Sequence, residues 1–140
     1  MARRRRRAQD PAPQRLILDA GAVIALARSD QRVRAVLAAA REARVHVSIP
    51  SVVVAETVRG VVADAPVNRV LTAVGEVDAA DEAIGRTAGR LLGDAGSSST
   101  VDAVVVATAV EAGGAVVLTG DPDDLSALAG EHREVVIEAF

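Results

Sequence analysis

The chain has 140 residues, half of them hydrophobic, and a formal net charge of −3 at pH 7. It contains neither cysteine nor lysine. Disulfides, thiolate metal sites and cysteine nucleophiles are therefore excluded, and so is a phosphate-loop NTPase, whose loop requires a lysine. Because no apolar stretch reaches the roughly 18 residues that span a bilayer, we expect no membrane contact and a cytoplasmic location.

Residues 1–14 are predicted to be a basic, disordered tail before a single domain that covers residues 15–140. The tail carries an unbroken run of arginines, namely Arg3, Arg4, Arg5, Arg6 and Arg7. A run of like charges is usually a solvated segment. Arginine side chains also match phosphate oxygens, so contact between this run and RNA is the alternative.

The rest of the chain alternates between short apolar runs and segments with helical periodicity. Strands alternating with helices predict an α/β fold with a central parallel sheet, right-handed crossovers and helices on both faces. In chain order, the predicted elements are strand 16–18, helix 20–27, helix 32–44, strand 45–49, helix 51–59, helix 66–74, strand 75–77, helix 81–92, flexible loop 93–99, helix 101–112, strand 115–119, helix 122–129 and strand 135–137.

The segment 51–59 is ambiguous on local grounds. Its three consecutive valines favour a strand. Pro50 and Ser51 in front of it and Gly60 behind it favour a helix. We predict a helix, because a crossover is needed before the next strand.

Four acidic residues follow or lie just beyond apolar runs, namely Asp19, Glu56, Asp102 and Asp121. In an open α/β sheet, residues just past the carboxyl ends of the strands line the ligand crevice. Carboxylates gathered there without another catalytic residue type indicate a hard divalent cation with oxygen ligands. This pattern predicts a metal-dependent phosphodiester hydrolase.

Each of the four acids also has a structural alternative: helix caps for Asp19 and Asp121, a capping box with Ser99 for Asp102, and a pair with Arg59 for Glu56. Taken singly, each structural role is the better explanation. As a set, clustered carboxylates would raise one another's pKa unless a cation neutralised them. A fold gains no stability from such repulsion, and the set therefore favours a metal site.

Four stretches of the sequence resemble the four motifs of PIN domains, in order and spacing most like the VapC-type toxins of bacterial toxin–antitoxin pairs. The resemblance extends from about Leu16 to Ile137. The stretches are 16–26 (LILDAGAVIAL), 50–60 (PSVVVAETVRG), 99–109 (STVDAVVVATA) and 118–125 (LTGDPDDL).

The resemblance implies a PIN-like three-layer α/β/α sandwich and an endoribonuclease that uses Mg²⁺, or alternatively Mn²⁺. Asp19, Glu56, Asp102 and Asp121 match its acidic quartet, as catalytic residues and metal ligands. Asp124 matches a frequent additional acid, and Thr119 a hydroxyl residue beside the fourth acid, where it would contact substrate. The implied partners are an RNA substrate, a cognate antitoxin and a second copy of the chain.

Specific residues of the chain argue against other functions. A haloacid dehalogenase phosphatase needs a second aspartate where this chain has Gly21, and a receiver domain needs a lysine. His46 and His132 lie away from the motifs, so we expect structural or surface roles for both. The serious alternative is a non-catalytic PIN-like module that binds RNA or protein. The single aromatic residue of the chain also leaves few base-stacking platforms.

Overall fold

The computed structural model describes residues 15–140, so the predicted tail and its arginine run lie outside the described residues. The described part contains five strands: β1 (Arg15–Leu18), β2 (His46–Pro50), β3 (Val77–Asp78), β4 (Ala115–Thr119) and β5 (Val135–Ala139). Its α-helices are α1 (Ala20–Ala27), α2 (Gln31–Glu42), α3 (Ser51–Thr57), α4 (Ala65–Val74), α5 (Glu82–Ala95), α6 (Thr100–Glu111) and α7 (Pro122–Ala129). None of these helices is long and apolar enough to cross a membrane.

The strands form one parallel sheet in the order β3-β2-β1-β4-β5, with β1 at its centre. Leu18 at the end of β1 lies opposite Leu118 in β4. The chain leaves β1 towards β2 and later returns to the other side of β1 as β4. Such a reversal opens a crevice at the carboxyl ends of the two central strands.

Helices cover both faces of this sheet. Helices α1, α3 and α4 pack together, and helices α5, α6 and α7 form a second group. The strand residues Ile17, Leu18 and Leu118 are fully buried between these layers. Helix α6 is buried over most of its length, which accounts for its run of valines. The predicted α/β fold with a central parallel sheet is confirmed.

Most predicted elements are present, and the differences are at their ends. The ambiguous segment is the helix α3, which ends at Thr57 because Val58 has extended backbone. The predicted loop 93–99 began too early: α5 continues to Ala95 and ends at Gly96, whose φ of 60° suits glycine. Helix α2 ends at Glu42 instead of residue 44, and the short strand starts at Val77 because Gly75 caps α4.

Candidate active site

Asp19 lies between the central strand β1 and the helix α1, and its side chain is buried (8% exposed). Its backbone N–H donates to the Leu118 carbonyl of β4 at 3.0 Å. Its carboxylate does not cap α1, although Asp19 occupies the N-cap position. Instead, Asp19 Oδ2 accepts a hydrogen bond of 2.9 Å from the Thr119 hydroxyl. The carboxylate is thus held at the end of β1 by a side chain of β4, and capping does not explain it.

Thr119, the last residue of β4, is fully buried. Its hydroxyl oxygen also accepts a 3.0 Å hydrogen bond from the backbone N–H of Asp121. One hydroxyl therefore connects the segments that follow β1 and β4. Because the Thr119 hydroxyl donates to Asp19 and accepts from Asp121, it holds these two residues in place relative to each other.

Glu56 comes from α3, the helix that follows β2 and packs against both α1 and α6. Loss of solvent and then the negative charges of Asp19 and Asp102 raise the pKa of Glu56, while Arg59 opposes them. The Arg59 guanidinium donates to the carbonyl oxygens of Ala55 and Val58. Among the described residues, no salt bridge joins Arg59 to Glu56.

Asp102 lies in the first turn of α6 and is half-buried. Ser99 occupies the N-cap position of α6 but makes no capping hydrogen bond with its side chain, so the predicted capping box is not formed. Loss of solvent raises the pKa of Asp102, and the charges of Asp19, Asp124 and Asp121 raise it further. Asp102 is therefore within electrostatic reach of the acids that follow both β1 and β4.

Asp121 and Asp124 are exposed acids at the start of α7. Asp121 occupies the N-cap position without capping the helix through its side chain. The charge of Asp124 is the main cause that raises the pKa of Asp121, followed by loss of solvent and a hydrogen bond with Asp124. Asp19 also contributes to this rise. The additional acid Asp124 thus belongs to the same group of carboxylates.

Two other aspartates show what a capping acid looks like in this fold. Asp30 accepts hydrogen bonds from the backbone N–H groups of Arg32 and Val33. Asp81 accepts one from Ile84 at 2.9 Å. The acids at the carboxyl ends of β1 and β4 occupy equivalent N-cap positions and are not used in this way. Helix capping therefore does not account for either acid, and the charge of Asp19 raises the pKa of Asp121, after the larger effects of Asp124, loss of solvent and Asp123.

The donor set suits a hard divalent cation, because every ionisable group in the cluster is a carboxylate. Within residues 15–140, no group of three or more His, Cys, Asp or Glu side chains is placed so that it could hold a metal ion as it stands. Mg²⁺ generally keeps several waters and takes only one or two protein carboxylates. The loose grouping of these acids fits that mode of binding better than it fits a closed all-protein site.

The two histidines lie elsewhere. His46 pairs with Glu76 at the start of β2, and His132 with Glu134 before β5 at 3.0 Å. The causes that shift the pKa values of Glu56, Asp102 and Asp121 include no histidine. Their placement agrees with the structural or surface roles that the sequence predicts.

Sequence reasoning overlooked Phe140. The ring lies beside Gly120 and Gly21, which are neighbours of Asp121 and Asp19 in the chain. The available signal was that Phe140 is the only aromatic residue of the sequence. It was read as a scarcity of aromatics, and the position of the one ring was not considered.

Comparisons with known proteins agree with this architecture. The structure is similar to VapBC2 from Rickettsia felis bound to a DNA fragment from its promoter (TM-score 0.73, 12% identity, covering 90% of this chain and 98% of that chain). It is also similar to a toxin–antitoxin complex from Klebsiella pneumoniae (TM-score 0.66, 18% identity, 86% and 95% covered). No curated protein shows significant sequence similarity. Residues 16–131 match the PIN domain family, and the chain belongs to that family.

Proposed function

We propose that this protein is a Mg²⁺-dependent endoribonuclease, the toxin of a cytoplasmic toxin–antitoxin pair. The observation that carries the proposal is the acidic cluster at the carboxyl ends of β1 and β4. Its acids come from separate elements, the pKa values of Glu56, Asp102 and Asp121 are raised by loss of solvent and by neighbouring carboxylates, and Asp19 and Asp121 leave adjacent helix starts without a side-chain cap. Membership of the PIN family, whose members typically bind divalent metal ions, supports the same conclusion.

The residues of the cluster divide into two groups. Asp19, Asp102 and Asp121 would hold the cation, one or two of them directly and the rest through its waters, with Asp124 as an additional acid. Bound Mg²⁺ would supply charge stabilisation at the phosphodiester and lower the pKa of an attacking water. Glu56, whose pKa is raised by loss of solvent and by the charges of Asp19 and Asp102, would hold the metal through water or orient the nucleophile. Hydrolysis by water would leave a 5′-phosphate and a 3′-hydroxyl.

Substrate binding needs positive charge, because RNA phosphates are repelled by an acidic site. The Arg3–Arg7 run is our proposed phosphate-contacting arm, since arginine side chains match phosphate oxygens. Thr119 was expected to contact substrate. Its full burial and its bonds to Asp19 and Asp121 support instead an indirect role, in which it positions the two carboxylates.

The proposed protein partner is an antitoxin. Structures similar to this one are toxin–antitoxin complexes. A groove of about 410 Å³ runs between α1, α2 and α4, with an apolar floor that includes Leu37 and Val70, and with Arg34, Arg41 and Arg69 along it. It lies at the end of α1 opposite Asp19. Because α1 is only about 12 Å long, a segment in the groove could extend to the acids.

A homodimer is the proposed assembly. After α3 the chain exposes two adjacent valines, Val61 (56%) and Val62 (94%). Asp64 holds this turn in place, because its Oδ2 accepts from the backbone N–H groups of Arg59, Gly60 and Val61. A fixed turn that presents apolar side chains to water suits contact with a second copy.

Incubation of the purified protein with single-stranded RNA, with and without Mg²⁺, tests the proposal. We expect cleavage that requires the metal, stops in excess EDTA and yields 5′-phosphate ends. Products with 2′,3′-cyclic phosphate would rule out the proposed chemistry. RNA binding without any cleavage would favour the non-catalytic PIN-like module.

A further inference from the structure

We propose that Phe140 is a stacking platform for one unpaired nucleobase of the RNA, an inference that rests on the proposed ribonuclease function. Phe140 is the only aromatic residue of the chain. Aromatic rings are the side chains on which unpaired bases stack, and stacking tolerates any base because each has a π-face. Phe140 is the one Phe, Tyr or Trp of the chain, and the two histidines pair with Glu76 and Glu134 elsewhere, so this ring is the aromatic platform beside the candidate active site.

The sheet register places this ring at the active site. Thr119 of β4 pairs with Ala139 of β5. The residues that follow them, Gly120 and Phe140, consequently lie side by side at the edge of the sheet where the acids lie. Phe140 Cζ is 3.5 Å from the point that a Cβ on Gly120 would occupy and 3.6 Å from that point on Gly21.

The two glycines beneath the ring are not required by backbone conformation. Neither Gly21 nor Gly120 is among the described glycines with positive φ. Gly21 lies within α1, where glycine is among the poorest helix formers. Limited space explains the presence of glycine at position 21, because a Cβ there would lie 3.2 Å from Gly120 N. The absence of side chains on these two glycines leaves room for the tip of the Phe140 ring beside the segments that carry Asp19 and Asp121.

Phe140 is only partly buried, so the residue stays accessible beside the acids. The cluster itself repels RNA, because its members are carboxylates. Positioning of the strand next to the cleaved bond is helped by contacts to the bases as well as to the phosphates, and stacking on Phe140 supplies one such contact. Phe140 also packs against the hydrophobic core, and a test must separate that packing from stacking.

Three variants of the full chain separate the two roles. Phe140→Leu keeps an apolar side chain and removes the π-face, whereas Phe140→Trp keeps the π-face. Val136→Ala removes an exposed apolar group (44% exposed) from β5, the strand that Phe140 follows, and serves as the control. Binding to a fluorescent single-stranded oligoribonucleotide is measured in EDTA, cleavage is measured with Mg²⁺, and thermal unfolding reports packing. A fully abasic strand of equal length is the second probe.

We expect Phe140→Leu to raise the Kd and KM for RNA about ten-fold, the usual scale for one stacked base, with kcat nearly unchanged. Phe140→Trp should bind as the wild type does, and on the abasic strand all variants should bind equally. If Phe140→Leu had the same KM and Kd as the wild type, and the wild type cleaved RNA, this inference would be wrong while the proposed function would stand. The inference would also be wrong if Phe140→Leu and Phe140→Trp weakened RNA binding equally and lowered the unfolding temperature to the same degree. A wild-type protein that neither binds nor cleaves RNA would remove the proposed function as well.

Discussion

Asp19 and Thr119 are separated by 100 positions in the chain and joined by a 2.9 Å hydrogen bond. The same threonine hydroxyl accepts from the Asp121 backbone. Two of the acids proposed to act together are thus fixed relative to each other by one small buried group. Outer groups that orient metal ligands in this way commonly affect activity nearly as strongly as the ligands do.

Thr119→Val should lower RNA cleavage by about ten-fold to a hundred-fold, the usual effect of losing such a supporting group. The substitution keeps the shape of the side chain but leaves Asp19 Oδ2 and the Asp121 N–H without their partner. Thr119→Ser should retain most activity. Thr108→Val is the matched control, because Thr108 is buried and its hydroxyl bonds only to the Val104 carbonyl within α6. Equal activity of the two valine variants would contradict the role of Thr119.

Site acids and capping acids should respond to substitution in opposite ways. Asp19→Asn and Asp102→Asn should lower cleavage by about a hundred-fold or more, because several kcal/mol of charge stabilisation is lost. In EDTA both variants should unfold at a higher temperature than the wild type, since mutual repulsion is relieved. Thermal unfolding and cleavage rates of the same preparations check both effects.

Asp30→Ala is the matched control for those variants. It removes the N-cap of α2 and should cost about 1 kcal/mol of stability while leaving cleavage intact. If Asp19→Asn behaved like this control, with lower stability and normal activity, the assigned site would be wrong.

Divalent metal should stabilise the folded protein through the acidic cluster. A ligand at a hundred times its Kd that binds only the native state adds about 2.7 kcal/mol to the free energy of unfolding. We therefore expect Mg²⁺ and Mn²⁺ to raise the unfolding temperature of the wild type, and to raise that of Asp102→Asn much less. Ca²⁺-free buffers with matched ionic strength control for screening. A shift of equal size in both proteins would show that the metal binds elsewhere.

Stability should also depend on pH through Asp64, which lies outside the cluster. The backbone N–H of Val61 is the main cause that lowers the pKa of Asp64 below its ordinary value of 3.8, with help from Arg59 and Gly60. Because the folded-state pKa is depressed, the stabilisation is present above pH 3.8 and is lost as the pH falls through the folded-state value. Asp64→Asn should be less stable than the wild type at neutral pH, and the gap should close in acid. Urea unfolding at several pH values measures the difference in the free energy of unfolding between the two proteins. A difference that did not change with pH would contradict the assignment.

The arginine run can be tested without any structural assumption. Deletion of residues 1–14 should weaken RNA binding to a similar degree for all sequences and flatten its dependence on salt. The metal requirement and the bond cleaved should stay the same. Replacing Arg3–Arg7 with glutamine keeps the length of the segment and is the matched control for charge. An unchanged salt slope would mean that the arginines do not contact phosphates.

The sequence predicted what depends on local pattern. Apolar runs and glycine stops predicted the strands and helices of the sheet. The positions of Asp19 and Asp121 after two apolar runs predicted that acids would follow the carboxyl ends of two strands. Helix ends were less predictable: a glycine inside α5 looks like a stop, yet the helix continues past exposed Gly93 to Ala95 and ends at Gly96.

Contacts between distant segments could not be read from local pattern. Thr119 was noted as a hydroxyl near the fourth acid, but its bond to Asp19 depends on the pairing of β1 with β4. The structural alternatives for the acids were also undecidable from sequence. Asp19, Asp121, Asp30 and Asp81 all precede helices, and only the hydrogen bonds separate the two that cap from the two that do not.

The 100-position separation of Asp19 and Thr119 also has a consequence for the timing of synthesis. On the ribosome, the first half of the chain emerges with Asp19 and Glu56 but without β4, the strand that pairs with β1 and carries Thr119. The carboxylates can assemble only after β4 and the start of α7 have left the exit tunnel and β4 has inserted beside β1. At elongation rates of about 5–20 residues per second, that delay is at least several seconds. The proposed ribonuclease site is therefore incomplete until β4 and the start of α7 have been synthesised.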